Sequence, residues 1–195
     1  DKRYLGKIDW NITNDHRASF TYSQTKETKP VIRGSDTQLV LSSGWYTTDV
    51  DSKSYALHFY DDWSDNFSSQ ASVSYAKFDQ LRGPYNGVAS PSVTVYPSTY
   101  SDRNSVQFGT EYSSQANVLR TRTTNFAWAG TYFAGDHAIK GGFDYERDDV
   151  YNLFLQNYYG SYTFEDSADI NPDTGNPYTG LENFLRGEYY QYRYN

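Results

Sequence analysis

Along most of the chain, apolar and polar residues alternate one for one. In the run Ile139-Lys140-Gly141-Gly142-Phe143-Asp144-Tyr145-Glu146, Ile139, Phe143 and Tyr145 fall on one side with Gly141. Lys140, Asp144 and Glu146 fall on the other with Gly142. Successive side chains of a strand point to opposite faces, so a period of two predicts a strand that is apolar on one face only. The same pattern sets Tyr4, Ile8, Trp10 and Ile12 against Lys7, Asp9 and Asn11. It sets Ala18, Phe20 and Tyr22 against Arg17, Ser19, Thr21 and Ser23, and Tyr55, Leu57 and Phe59 against Ser54, Ala56 and His58. Ala71, Val73 and Tyr75 oppose Gln70, Ser72 and Ser74, and Phe126, Trp128 and Tyr132 oppose Asn125, Ala127 and Ala129. Tyr190, Tyr192 and Tyr194 oppose Gln191 and Arg193. Only Leu181-Glu182-Asn183-Phe184-Leu185 has a helical look.

The connections are of two kinds. Asn14-Asp15-His16, Asp61 to Asn66 and Ala134-Gly135-Asp136-His137 read as short turns, where Gly, Asn and Asp tolerate left-handed backbone or bond locally. Between them run long polar stretches, about 27–51, 81–117 and 148–186, which contain all six prolines. Spanning strands at roughly 3–13, 17–26, 53–61, 67–80, 118–134 and 138–149, with a seventh from near 187, put every short turn at one end and every long loop at the other. Residues 105–112 look strand-like, but counting them as spanning breaks this parity, so they are assigned to a loop.

Composition narrows the class. Only 37% of residues are hydrophobic, yet 18% are aromatic and 21 are Tyr. Disordered chains lack aromatics. A soluble β-sandwich core uses more Val, Ile and Leu, and compact domains rarely carry three long loops. Tyr and Trp suit a boundary between water and lipid. The expectation is therefore an all-β fold: an antiparallel transmembrane β-barrel segment of about six or seven spanning strands with long outer loops. The soluble sandwich is the competing architecture. Six or seven strands do not close a membrane barrel, which needs at least about eight, so the segment is expected to belong to a larger one. The sequence begins and ends in strand-like residues and shows no signal peptide, which adds to that expectation. A formal charge of −7 argues against a nucleic-acid partner. No cysteine is present, so no disulfide framework is available.

Candidate chemistry is sparse. His16 and His137 sit at turns and His58 on a polar face beside Ser54. No Ser-His-Asp spacing stands out, and no catalytic residue, cofactor or metal site is expected. Residues 169–180 resemble a calcium loop, but an EF-hand needs Gly at position six and Glu at twelve, where Thr174 and Gly180 stand. A plain turn is the better reading. The loop aromatics Trp45, Tyr46, Tyr85, Tyr96 and Tyr100 are the ligand-binding candidates. Trp10, Trp63 and Trp128 are the candidates for membrane-interface aromatics.

The run Leu5 to Tyr22 resembles the first barrel hairpins of TonB-dependent outer-membrane receptors. Gly135-Asp136-His137-Ala138-Ile139-Lys140-Gly141-Gly142-Phe143-Asp144 is similar to a glycine- and histidine-bearing hairpin of that family. Tyr151-Asn152-Leu153-Phe154, then Tyr159 to Phe164, then Glu182 to Gly187, follow in the family's order, nearest to its Oar-like branch. The resemblance covers nearly the whole chain, 1–195. It implies a large transporter of the bacterial outer membrane: a 22-strand barrel with an N-terminal plug domain, which lies outside this chain, energised by the inner-membrane TonB complex. Outer-membrane lipid, that plug, the TonB complex and an unidentified extracellular substrate are the partners it implies. The alternative is a surface adhesin or secreted glycan-binding β-protein that transports nothing.

Overall fold

A computed structural model describes residues 1–195. Its elements, in order, are β1 (Lys2–Asn11), β2 (His16–Val31), β3 (Gln38–Val40), β4 (Tyr46–Ser64), β5 (Phe67–Pro84), β6 (Ser92–Val95), β7 (Ser105–Phe108), β8 (Ala116–Ala134), β9 (His137–Leu155), β10 (Ser161–Phe164), α1 (Gly180–Arg186) and β11 (Gln191–Arg193). They divide into two compact units. One, the wall unit, comprises Asp1–Glu27, Val50–Gln80 and Leu119–Tyr151; the other, the loop unit, comprises Thr28–Asp49, Leu81–Val118 and Asn152–Asn195.

The wall unit is a single six-stranded sheet in the order β1-β2-β4-β5-β8-β9. Strands adjacent in the sheet are sequential hairpins or are joined by the long connections, as the parity of turns and loops requires. In β1 and β2, Ile8 faces Phe20, Trp10 faces Ala18 and Gly6 faces Tyr22. Directly paired residues share a face, so the alternation in each strand adds up to one apolar face. Ring contacts carry that face across the sheet. Tyr22 and Tyr55 lie 5.2 Å apart, Tyr55 and Tyr75 6.5 Å, and Phe126 and Phe143 5.7 Å between centroids. No second layer covers it: Ile8 is 68% exposed, Trp10 63% and Phe143 59%. An uncovered apolar face this wide is the signature of contact with lipid, and it removes the soluble sandwich. The outer edges of β1 and β9 pair with no strand, so the sheet is open.

Three expectations are corrected. The stretch from near 187 does not make a seventh spanning strand. β11 has three residues, and it pairs with Ser161–Thr163 of β10 in the loop unit. Asp61 to Ser64 belong to β4, so the turn is only Asp65 and Asn66, and Trp63 sits in a strand. The spanning strands also run well past the assigned ends: β2 to Val31, β5 to Pro84 and β9 to Leu155. The apolar alternation marks only the part of a strand that meets lipid; backbone pairing continues beyond it. β4, β8 and β9 have 19 residues each, where about 9–11 cross a bilayer.

The loop unit is ordered. Five short strands form a sheet in the order β11-β10-β6-β7-β3. β10 with β6 and β3 with β7 pair in parallel, unlike the antiparallel wall. Residues 105–112 accordingly supply β7 to this sheet and not to the wall. Val40, Val95 and Phe164 are its buried apolar residues. The short helix α1 is capped at Thr179. Its hydroxyl accepts from the Glu182 N–H at 3.2 Å, while the Glu182 carboxylate accepts from the Thr179 N–H at 2.7 Å.

Candidate functional site

The loop aromatics gather in the loop unit, in more than one place. Trp45 follows a tight turn at Ser42–Gly44. That turn is pinned by the Gly109 N–H, which donates to Ser43 Oγ at 3.0 Å. Gly109 has φ +79°, and a Cβ there would lie 1.9 Å from the Pro91 carbonyl oxygen, so only glycine fits. The Tyr85 N–H donates to the Trp45 carbonyl at 3.0 Å, and the two rings meet edge-on at 5.7 Å. The Arg82 guanidinium lies 5.4 Å from the centre of the Tyr46 ring. Trp45, Tyr46 and Tyr85 thus belong to one cluster. Trp45 Nε1 and Arg82 Nε are buried with no hydrogen-bond partner, which costs free energy wherever neither water nor ligand reaches them.

Trp45 also walls a groove of about 620 Å³ with Arg33, Asp36, Gln38, Leu39 and Val106. Arg33 is steadied by the buried Glu111 carboxylate at 3.8 Å and the Gln107 amide oxygen at 3.4 Å. The groove therefore offers an aromatic wall, a fixed cation, a carboxylate and an amide. Such a set suits an organic molecule with both polar and apolar parts.

Tyr96 and Tyr100 form a separate edge-on pair at 4.9 Å. Asp166 accepts from the Tyr100 N–H at 2.7 Å. Burial raises the Tyr96 hydroxyl pKa, and Tyr100 and Glu165 add to the rise. Burial likewise raises the Glu165 carboxyl, with Asp166 adding repulsion.

Tyr162, from the long loop 148–186, makes a further cluster with Tyr189, Tyr192 and Tyr194, from a stretch whose alternation reads as a spanning strand. Tyr162 lies 4.7 Å from Tyr192 and 5.6 Å from Tyr189, and Tyr192 lies 6.5 Å from Tyr194. The density of Tyr after residue 188 was the available signal. Residues 171–176 form the turn expected in place of a calcium loop. Asn171 Oδ1 accepts from the Asp173 N–H at 2.9 Å, and its amide donates to Glu182 at 2.8 Å.

In the wall unit, Trp10 lies near the end of β1, and Trp63 donates its Nε1–H to Ser69 Oγ at 2.9 Å beside the β4–β5 turn. Trp128 lies farther from its turn, 6.2 Å from Phe143. Tyr22, Tyr55 and Tyr75, which the alternation puts on the apolar face without marking them as interface aromatics, line its other end. From Trp63 to Tyr55 is about eight steps of ~3.3 Å, roughly 20 Å along the membrane normal at a tilt of ~40°, close to a barrel's apolar band. On the opposite face Lys7 pairs with Asp9 at 2.9 Å, and Arg17 lies 4.6 Å from the Tyr60 ring centre. His58 stacks on Tyr60, while His16 is hydrogen-bonded to Asp61 at 2.8 Å.

A one-sided apolar sheet of long antiparallel strands, bounded by aromatics and joined by tight turns, defines a transmembrane β-barrel wall. A family model described as an outer membrane beta barrel domain matches residues 1–195. The chain belongs to that family, and its place is the bacterial outer membrane. Neither the curated proteins nor the solved structures contain a match to it.

Proposed function

We propose that this chain is part of the wall and outer loops of a TonB-dependent transport receptor, which captures an extracellular solute and passes it through a wide barrel. The observation that carries the reading is the open sheet. β1 and β9 each leave an edge of unpaired N–H and C=O groups, which lipid does not tolerate. Further strands must complete the barrel, and large barrels enclose a lumen wide enough for solutes or a plug. The polar face that carries Lys7, Asp9, Arg17, Lys140, Asp144 and Glu146 would line that lumen. The groove at Trp45 and the tyrosine pairs would gather the solute. The resemblance to TonB-dependent receptors supplies the plug and the inner-membrane TonB complex as partners. On this reading the protein is a receptor and not an enzyme.

In vivo cross-linking of the full-length protein, followed by affinity capture, tests it. Recovery of the inner-membrane TonB protein is expected, with loss on deletion of the protein's N-terminal segment. Surface exposure of Thr174 without any TonB capture would favour the adhesin reading, which the ordered loop unit also suits. The strand count has its own test. Residues 1–195 expressed alone should aggregate or form detergent-dependent oligomers through the open edges. A monodisperse, heat-modifiable monomer would show instead that the chain closes into a small barrel.

A further inference from the structure

The apolar face of the wall changes character at one level. Beyond the row of Tyr22, Tyr55, Tyr75 and Tyr145, all six strands place a cation on that same face: Lys2, Lys26, Lys53, Lys77, Arg122 and Arg147. Lys2 is paired directly with Lys26. Lys53 and Lys77 each follow two residues beyond the stacked Tyr55 and Tyr75 along their strands, and so share their face. Arg147 is two residues from Tyr145 and Arg122 four from Phe126, on the same parity.

Three carboxylates space these cations. Asp51 lies 3.9 Å from Lys26 and 3.8 Å from Lys53, Asp79 lies 3.0 Å from Lys77 and 2.7 Å from Arg122, and Asp149 lies 3.1 Å from Arg147. Six cations against three carboxylates leave this row positive, on a chain whose formal charge is −7. The ion pairs hold the long side chains in place. Exposure varies along the row: Lys26 is 54% exposed and Arg147 64%, Lys53 and Lys77 are half-buried, and Arg122 also donates to the Phe78 and Thr121 carbonyls. The short turns, at the opposite end of the same face, show no such row.

We infer that this row is a docking surface for the phosphorylated glycolipid of the outer leaflet, with its phosphates on the cations and its acyl chains against the apolar band. The charge is complementary. The position is the headgroup level, one residue pair beyond the aromatic girdle. Lys and Arg at such a level gain from anionic headgroups, and Arg binds phosphate in two-pronged fashion. The inference rests on this face meeting lipid and not on transport, so an adhesin built on the same wall would bind equally.

The test uses the complete protein in detergent, titrated with bisphosphorylated lipid A, its dephosphorylated form and phosphatidylglycerol, and read by native mass spectrometry. Preference for the bisphosphorylated lipid by about tenfold or more is expected. Replacing Lys26, Lys53, Lys77 and Arg122 together by Gln should abolish that preference, and Lys→Arg at the three lysines should keep it. Lumenal Lys140→Gln should leave it unchanged. Equal binding of the dephosphorylated lipid or of phosphatidylglycerol would overturn the inference, as would an unaltered preference in the folded Gln variant. The lipid comparison on the unmutated protein decides the matter even where the Gln variant fails to insert. A face assigned wrongly would show separately, as tolerance of Arg at Phe143.

Discussion

The wall unit and the loop unit bury different things. In the wall unit the only buried apolar residue is Ala18, and its large side chains lie open on one face. The loop unit buries Val40, Val95 and Phe164 together with Gln107, Thr110, Glu111, Ser114 and Gln115. Those polar groups are satisfied locally. Ser114 Oγ donates to Glu111 at 2.8 Å, and the Gln115 amide donates to the Gly160 carbonyl at 3.1 Å. One region thus takes its apolar driving force from lipid, while the other holds its shape in water through hydrogen bonds and backbone fit. A change that is severe in one should be mild in the other.

The largest expected effect is on the lipid face. Phe143→Arg puts a cation into the apolar band, at a cost of about 2–4 kcal/mol near the midplane. Asp144→Arg, one residue on and facing the polar side, should cost far less. Folding of the full-length barrel into lipid vesicles, followed by gel shift, measures both. Equal tolerance of the two would erase the distinction between the faces. Next comes Gly109→Ala in the loop unit. The added Cβ meets the Pro91 carbonyl on a left-handed backbone that alanine disfavours, at a cost of at least about 1–3 kcal/mol. Barrel insertion should be unchanged, while the loops should become sensitive to protease on intact cells. Loss of insertion would mean that the loop unit is needed to build the wall.

The same contrast explains what the sequence discloses. Period-two alternation marks all six wall strands, because a lipid face writes itself into every second residue, while Gly, Asn and Asp mark the three tight turns, the second of them too long. The alternation could not show that β2 continues to Val31 or that β4 starts at Tyr46. There the strands leave lipid, and Thr28 simply donates to Asp49 at 2.6 Å. The three- and four-residue strands of the loop unit are too short to show a period, and their parallel pairing depends on distant partners. Tyr190, Tyr192 and Tyr194 alternate like a spanning strand, yet Tyr192 and Tyr194 join a tyrosine cluster around β10 and β11. Trp45, Tyr46 and Tyr85 stand out in the sequence because aromatics are conspicuous in polar loops, and the structure brings them into one cluster. Nothing in the sequence marks Arg33 or Glu111, whose roles arise from an ion pair to a buried carboxylate across 78 residues of sequence.

Smaller effects sharpen the account of the loop unit. Thr179→Ala removes the capping hydroxyl of α1 and should cost about 1 kcal/mol. Loss of protection in amide exchange over residues 180–186 would report it, with the wall strands unaffected. A uniform loss of protection would mean that the two units unfold together.

The smallest effect is a pH dependence centred on Glu165. Burial and the neighbouring Asp166 raise its carboxyl pKa in the folded loop unit. A raised folded pKa favours the protonated form. Its stabilising contribution is therefore complete below the unfolded value and is lost as pH climbs through the folded one. Glu182 runs the other way. The Thr179 N–H and hydroxyl lower its pKa, so its contribution is present above the unfolded value and fades as pH falls through the folded one. The two act in adjacent windows, Glu165 above the unfolded carboxyl value and Glu182 below it, so the wild-type loop unit should be most stable near that value and lose stability on either side. Glu165→Gln removes one arm and imitates the protonated form. The variant should gain protease resistance at neutral pH and lose it on acidification, following Glu182 alone. Limited proteolysis of the full-length protein across pH 3–7 reads this directly, since the wall strands supply a protease-resistant internal standard. A variant that tracks wild type at every pH would show that Glu165 is as well solvated in the folded loop unit as in the unfolded chain.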